Sequence, residues 1–282
     1  MAFSYGTASA GERRPQNGLL DAADEERAAL LDKPADSHGG TASRLQKHMT
    51  ADISDSWGDV ALLACYAITG LLDSSSVQVW GSFVSMQTGN TVYLGLGLVA
   101  PGDSTRWIRS AISIACFCLG SAFFSTYHRH FSPRKRWVMI SSYIIQLLCM
   151  IAAALMVSLA PMTTAVSGPV SAWTAVPIAL IAFQAGGQAF TSRVLQHTGL
   201  TSVVLTSVYC DLFSNPLLGG LTQNVERNRR IAAPLLLLGG AMIGGLWAKT
   251  DVGLAGAIWT AVVLKALVTL AWVFWAAAPD DS

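Results

Sequence analysis

A lysine occupies the middle of the last long apolar segment of the sequence. Lys265 lies between Leu254 and Phe274, a stretch that contains ten Leu, Ile, Val and Phe residues. A central lysine costs about 2.5–3.5 kcal/mol to insert into a membrane, and each such apolar residue returns about 0.3–0.6 kcal/mol. At helical spacing Lys265 shares a stripe with Ala257, Ala261, Thr269 and Trp272. We therefore expect Lys265 to face other helices rather than lipid.

A buried ammonium needs an anionic partner, because an unpaired charge inside a membrane protein is costly. Asp73 and Asp211 lie inside or next to apolar segments, so we expect them as counter-ions of Lys265. Such a pair can bind a coupling ion, a proton or the charge of a substrate. A structural ion pair that joins two helices explains the same residues equally well.

Polar side chains recur at helical spacing in two other apolar segments. Gln184 and Gln188 lie four residues apart, and Asp211 follows Ser207 by the same spacing. Residues four apart share one face of a helix. These faces either line a polar path or form hydrogen bonds between helices, and the sequence leaves both interpretations open.

Two similar motifs interrupt apolar segments at corresponding places. They are Thr88-Gly89-Asn90-Thr91 and Thr198-Gly199-Leu200-Thr201. Glycine permits the backbone to unwind, and Thr and Asn side chains satisfy the backbone groups that unwinding leaves without partners. Interrupted helices at matching positions of two halves indicate the substrate site of a transporter, whereas tight packing on small residues is the alternative. We therefore add Thr88, Asn90 and Thr198 to the hypothetical substrate or ion path.

The elements that must position these residues are membrane helices. The chain of 282 residues is 52% hydrophobic and only 12% charged, against about 25% charged in an average soluble domain. We predict an all-α polytopic membrane helix bundle of about 6 to 8 hydrophobic segments, with Asp73 ending the first of them. The predicted organisation is a disordered polar tail (1–56), a transmembrane domain (57–277) and a short acidic C-terminus (278–282). Short matches along the chain predict a two-fold internal repeat with halves at about 57–160 and 172–277.

The distribution of arginine and lysine bears on the number of crossings. Basic residues occur at the end of the tail, at 129–136 and at 227–230, and short basic loops prefer the cytoplasmic side. Placing all three on one side requires six net crossings and makes the halves an inverted repeat. Eight full crossings is the alternative. Arg106 and Arg109 oppose the six-crossing arrangement, because it puts them on the other side.

Several function classes are excluded by absent features. A formal net charge of +1 without a long basic run argues against nucleic-acid binding. No catalytic or phosphate-binding motif and no metal-ligand spacing occurs, so we expect neither an enzyme nor a cofactor nor a metal site.

The expected partners are the lipid bilayer and an unknown small molecule or ion, and a homo-oligomer is compatible with this composition. The plasma membrane and an endosomal or vacuolar membrane both suit the acidic dileucine-like pattern Glu26, Leu30, Leu31.

Two further stretches carry a family resemblance. Thr69-Gly70-Leu71-Leu72-Asp73 and the stretch from Gly81 to Val92 resemble the signature of the YoaK-like family of small polytopic membrane proteins, a domain of unknown function. The resemblance covers about residues 57–275 and implies a membrane location but no substrate. From the residues themselves, our first hypothesis is a small secondary transporter or permease. The alternative is a non-transporting accessory or scaffold protein of the membrane.

Overall fold

Nine helices form the part of the chain that the structure, a computed structural model, describes: residues 41–54, 58–160, 169–197, 199–214 and 225–276. They are α1 (Thr41–Thr50), α2 (Gly58–Trp80), α3 (Gln87–Val99), α4 (Arg106–Phe131), α5 (Arg136–Leu159), α6 (Ala172–Val194), α7 (Thr206–Phe213), α8 (Val225–Trp247) and α9 (Gly253–Val273). The predicted all-α class is confirmed, since no strand occurs in these ranges. The chain divides into two units, Met1–Gln46 and Lys47–Ser282. Of the first unit, only residues 41–46 are described, as the start of α1.

From α2 onward, the series of long helices is interrupted by a short helix at two places. The helices α2, α4, α5, α6, α8 and α9 have 21 to 26 residues, whereas α3 has 13 and α7 has 8. By length and composition α2, α4, α5, α8 and α9 qualify as membrane spans, so the protein is an integral membrane protein. Helix α6 is as long as α2, but Gln184, Gln188 and Arg193 lower its hydropathy. Helices α3 and α7 are too short to cross a bilayer.

Asp73 does not end the first apolar segment, in contrast to the sequence-based prediction. Helix α2 continues past it to Trp80, and Gly81 then adopts a φ of 74°. This left-handed conformation commonly terminates a helix and suits glycine. The helix continues through Asp73 because the carboxylate finds hydrogen-bond donors inside the protein, as described below.

Two pairs of parallel helices pack in closest contact, with glycines at the crossing points. In the pair α2 and α8, a Cβ added to Gly70 would lie 1.9 Å from Leu237 O, and one added to Gly240 would lie 2.0 Å from Ala67 O. The contacts advance together along both helices, so α2 and α8 run in the same direction. Only glycine permits backbones to approach this closely.

The pair α4 and α6 repeats this arrangement. A Cβ on Gly120 would lie 2.1 Å from Phe183 O, and one on Gly186 would lie 2.5 Å from Phe117 O. Helices α2 and α6, in contrast, run in opposite directions. Gly58, at the start of α2, faces Leu195 and His197 beyond the end of α6.

One end of the bundle collects the basic stretches of the sequence. Asp59 at the start of α2 forms an ion pair with Arg229 at 2.6 Å. Arg136 at the start of α5 donates to His48 O at 2.6 Å and also to Trp275 O. The starts of α2, α5 and α8 therefore lie beside the ends of α6 and α9, and we call this the basic end.

Arg106 and Arg109 lie at the opposite, distal end, where they contact a helix terminus. Arg109 Nη1 donates to Trp80 O at 3.0 Å, and Arg106 Nε donates to Gly81 O. The carbonyl groups at the end of a helix carry partial negative charge, which favours a cation there. These arginines thus stabilise the end of α2.

Candidate functional site

Two apolar clusters fill the bundle, and both are formed largely by α2, α5, α6 and α9. The basic-end cluster includes Leu62, Tyr66, Met139, Tyr143, Val194 and Trp272. The distal cluster includes Leu71, Met150, Ala154, Ile181, Ala257 and Ile258. Polar side chains lie where the two clusters meet: Thr69, Gln146, Gln184, Gln188 and Lys265. We call these five residues the polar layer.

Lys265 is fully buried, which confirms the prediction that it faces other helices. Its Nζ donates to Gln188 Oε1 at 2.9 Å and lies 4.7 Å from the centre of the Tyr143 ring. An aromatic face attracts a cation at this distance, but weakly compared with a carboxylate. The neighbours of the ammonium therefore include a neutral acceptor, an aromatic ring and the thiol of Cys65.

The prediction that Asp73 or Asp211 is the counter-ion of Lys265 is wrong. The ion pairs among the described residues join Arg229 to Asp59 and Arg230 to Glu226, and neither includes Lys265. Asp73 binds backbone groups instead, and Asp211 is exposed on α7. Asp73 and Asp211 were predicted because they are acidic residues in or next to apolar segments. Position in the sequence does not determine which helices pack together, and therefore which side chains meet.

Gln188 connects Lys265 to α2 and to the segment that follows α6. Its Nε2 donates to Thr69 Oγ1 at 2.9 Å, to Cys65 O at 3.2 Å and to Ser202 Oγ at 3.4 Å. These acceptors hold the amide nitrogen away from Lys265, so that the amide oxygen points at the ammonium. Gln188 is thereby a positioning residue for Lys265.

Gln146 and Gln184 have unused hydrogen-bonding capacity. Both side chains are buried, and the Oε1 atom of each lacks a hydrogen-bond partner among the described residues. Gln146 Nε2 donates to Ser142 Oγ at 3.4 Å. Buried amide groups are normally satisfied, so two unpaired amide oxygens in the same layer as a buried lysine leave hydrogen-bonding capacity for a further polar group.

Asp73 belongs to a second polar region, at the break between α2 and α3. Its Oδ1 accepts from Val84 N at 2.8 Å and from Ser85 N at 2.9 Å, and its Oδ2 accepts from Ser85 Oγ. Asp73 and both of these partners are buried. The carboxylate thus satisfies the buried backbone donors of a non-helical segment.

Asn90 satisfies the same segment from the other side. Its Oδ1 accepts from Phe83 N at 2.9 Å, and its Nδ2 donates to Phe83 O at 2.8 Å and to Ser113 Oγ at 3.1 Å. The amide of Asn90 is therefore fully used by the protein. Thr88, in contrast, is exposed.

The predicted path residues therefore separate into groups. Gln184, Gln188 and Lys265 share the polar layer, and Asp73 and Asn90 hold the break between α2 and α3. Thr198 lies outside the described residues.

Tyr143, Gln146, Thr69 and Ser202 were not predicted as site residues. Helical spacing gave a signal for two of them, because Tyr143 precedes Gln146 by one turn and Thr69 follows Cys65 by one turn. The sequence contained no such signal for Ser202, since this residue lies in an irregular segment.

Comparisons with known proteins gave one match. No curated protein and no solved structure matches the chain. The family described as "Protein of unknown function (DUF1275)", which is YoaK-like, matches residues 61–271. Those residues run from the first turn of α2 to the last turn of α9 and hence include the whole polar layer, and the chain belongs to this family.

Proposed function

We propose that this protein is a small secondary transporter whose substrate site is the polar layer. The observation that carries the proposal is the position of this layer between two apolar clusters on the same four helices. Opening one cluster connects the layer to one side of the membrane, and opening the other connects it to the opposite side. This is the arrangement that alternating access requires.

We further propose an inverted repeat of three crossings per half, which suits this mechanism. Each half has the order long, short, long and long, which is α2 to α5 and α6 to α9. The first helix of each half packs in parallel on the third helix of the other half, with close glycine contacts in both pairs. The first helices of the two halves are antiparallel. On this basis we propose six crossings, with α6 as the polar one.

The two ends of the bundle are closed to different extents. At the basic end, the segment after α1 packs Ile53 into the apolar cluster, and Ile53 N donates to Arg134 O at 2.9 Å. At the distal end, a cavity of about 470 Å³ is lined by residues that include Trp80, Ser158 and Leu254. We propose that the basic end is cytoplasmic, as the positive-inside rule favours, and that the cavity is the outer entrance.

Cysteine accessibility tests the proposal. In a background without the five native cysteines, Gln146→Cys is placed in the polar layer and Leu148→Cys, exposed on the same helix, is the matched control. Ser158→Cys in the distal cavity is the positive control. Membrane-impermeant thiol reagents are then added from each side of oriented vesicles.

We expect Gln146→Cys to react from both sides, because each cluster opens in turn, and Leu148→Cys to stay unreactive in lipid. Ser158→Cys should react from the distal side. A Gln146→Cys variant that reacts from neither side would overturn the proposal. The protein would then be a packed bundle, as expected of an accessory or scaffold protein.

A further inference from the structure

We infer that the ligand of the polar layer is a small monovalent anion, bound by the ammonium of Lys265 and by the side-chain amides of Gln146 and Gln184. This inference rests on the proposed function only in taking the polar layer as the substrate site. It adds the chemical class of the ligand.

The charge of the layer is the first argument. Lys265 is the only ionisable residue among the five that form the layer, and its hydrogen-bond acceptor is the neutral Oε1 of Gln188. An ammonium has three donors, so this acceptor leaves donors to spare. A cation in the layer would be repelled by Lys265, and a neutral solute would leave the charge without a counter-ion. An anion supplies the missing charge.

The amides of the layer are the second argument. Gln188 is fixed by its bonds to α2, whereas the Oε1 atoms of Gln146 and Gln184 accept no hydrogen bond, so no donor holds either amide oxygen in place. A side-chain amide that is not fixed can turn its NH₂ group toward an anion. The layer therefore offers a fixed acceptor that orients Lys265 and two amides that are available to a ligand.

The size of the ligand follows from burial. Gln146 and Lys265 are 0% exposed and Gln184 and Gln188 are 1% exposed. Large side chains cover the layer on both sides, including Tyr143 toward the basic end and Ile181 toward the distal end. A ligand that enters this space with only side-chain movement has few non-hydrogen atoms, as in chloride, nitrate, formate or acetate.

Thermal unfolding of the purified full-length protein in detergent tests the inference. The probes are the sodium salts of chloride, nitrate, formate and acetate, each titrated against sodium gluconate at constant ionic strength. Lys265→Met removes the charge at similar volume, and Lys249→Met, an exposed lysine at the end of α8, is the matched control.

We expect at least one probe to raise the Tm saturably in the wild type and in Lys249→Met, and to have no such effect in Lys265→Met. Gln184→Leu should fold at least as well as the wild type, because its Oε1 has no partner to lose. It should weaken the apparent affinity about tenfold, the loss of one hydrogen bond to a charged group. This variant keeps the test decisive even if Lys265→Met does not fold.

Three results would overturn the inference: no probe stabilises the wild type, the shift persists in Lys265→Met, or Gln184→Leu binds with unchanged affinity. These results are independent of cysteine accessibility. Anion binding with an inaccessible Gln146→Cys would refute transport and retain the anion site. An accessible layer without anion binding would refute the anion and retain transport.

Discussion

Replacing Asp73 is expected to separate a structural role from a role in substrate movement. The carboxylate accepts hydrogen bonds from Val84 N at 2.8 Å, from Ser85 N at 2.9 Å and from the Ser85 hydroxyl, and all of these groups are buried. In Asp73→Ala the donors lose their acceptor. A buried donor without a partner costs about 1–3 kcal/mol, so the free energy of unfolding should fall by about 3–9 kcal/mol.

Asp73→Asn should be much milder. The amide oxygen still accepts from both backbone N–H groups, and the amide nitrogen can donate to the Ser85 hydroxyl, which is able to accept. What is lost is the charge assistance of these bonds, about 1–2 kcal/mol in total. Asp103→Ala is the matched control, because Asp103 is exposed near the same end of the bundle. A surface change of this kind should stay within about 0.5 kcal/mol of the wild type.

The assay is unfolding in mixed micelles with an increasing fraction of sodium dodecyl sulfate, followed by tryptophan fluorescence. The order of stability should be wild type and Asp103→Ala, then Asp73→Asn, then Asp73→Ala. If Asp73→Ala is as stable as the wild type, the carboxylate does not hold the break between α2 and α3. If Asp73→Asn is as unstable as Asp73→Ala, the negative charge matters rather than the acceptor atoms, and a role in ion binding returns.

Two further predictions concern packing and the same break. Gly240→Ala should lower the free energy of unfolding by about 1–3 kcal/mol or more, because its Cβ would lie 2.0 Å from Ala67 O. The neighbouring Gly239→Ala is the control: its Cβ meets nothing within 4 Å, and the variant should gain about 0.5–1 kcal/mol from helix propensity. Equal unfolding midpoints for the two variants would contradict the close contact of α2 and α8. Asn90→Ala removes both hydrogen bonds to the Phe83 backbone and should cost about 2–5 kcal/mol, together with faster proteolysis between α2 and α3. Wild-type protection there would argue against this role for Asn90.

The two polar regions differ in what they leave available to a ligand. At the break between α2 and α3, the oxygens of Asp73 and both ends of the Asn90 amide are used by the protein itself. In the polar layer, Lys265 and Gln146 are buried with hydrogen-bonding capacity to spare. The polar groups at the break are therefore used within the protein, whereas the layer has hydrogen-bonding groups left for the proposed ligand.

Composition and periodicity were sufficient to predict that the protein is a bundle of membrane helices and that Lys265 is buried. The low fraction of charged residues predicted membrane helices, and the stripe of Ala257, Ala261, Lys265 and Trp272 is buried as the helical period indicates. Both properties depend on local sequence alone. A helix that must hide one face from lipid shows that face in its own spacing.

The partners of the polar residues were decided only by the tertiary structure. The sequence predicted a carboxylate for Lys265, whereas the packing brings Gln188 to it from a helix 77 residues away. It also predicted that Asp73 ends a segment, whereas backbone groups 11 and 12 residues later fold back to bind it inside α2. Hydropathy measures the cost of burying a charge in isolation. In the folded protein, the free-energy cost of burying the charge depends on which hydrogen-bond donors and acceptors the other helices place beside it. The direction and register of those helices determine which groups these are.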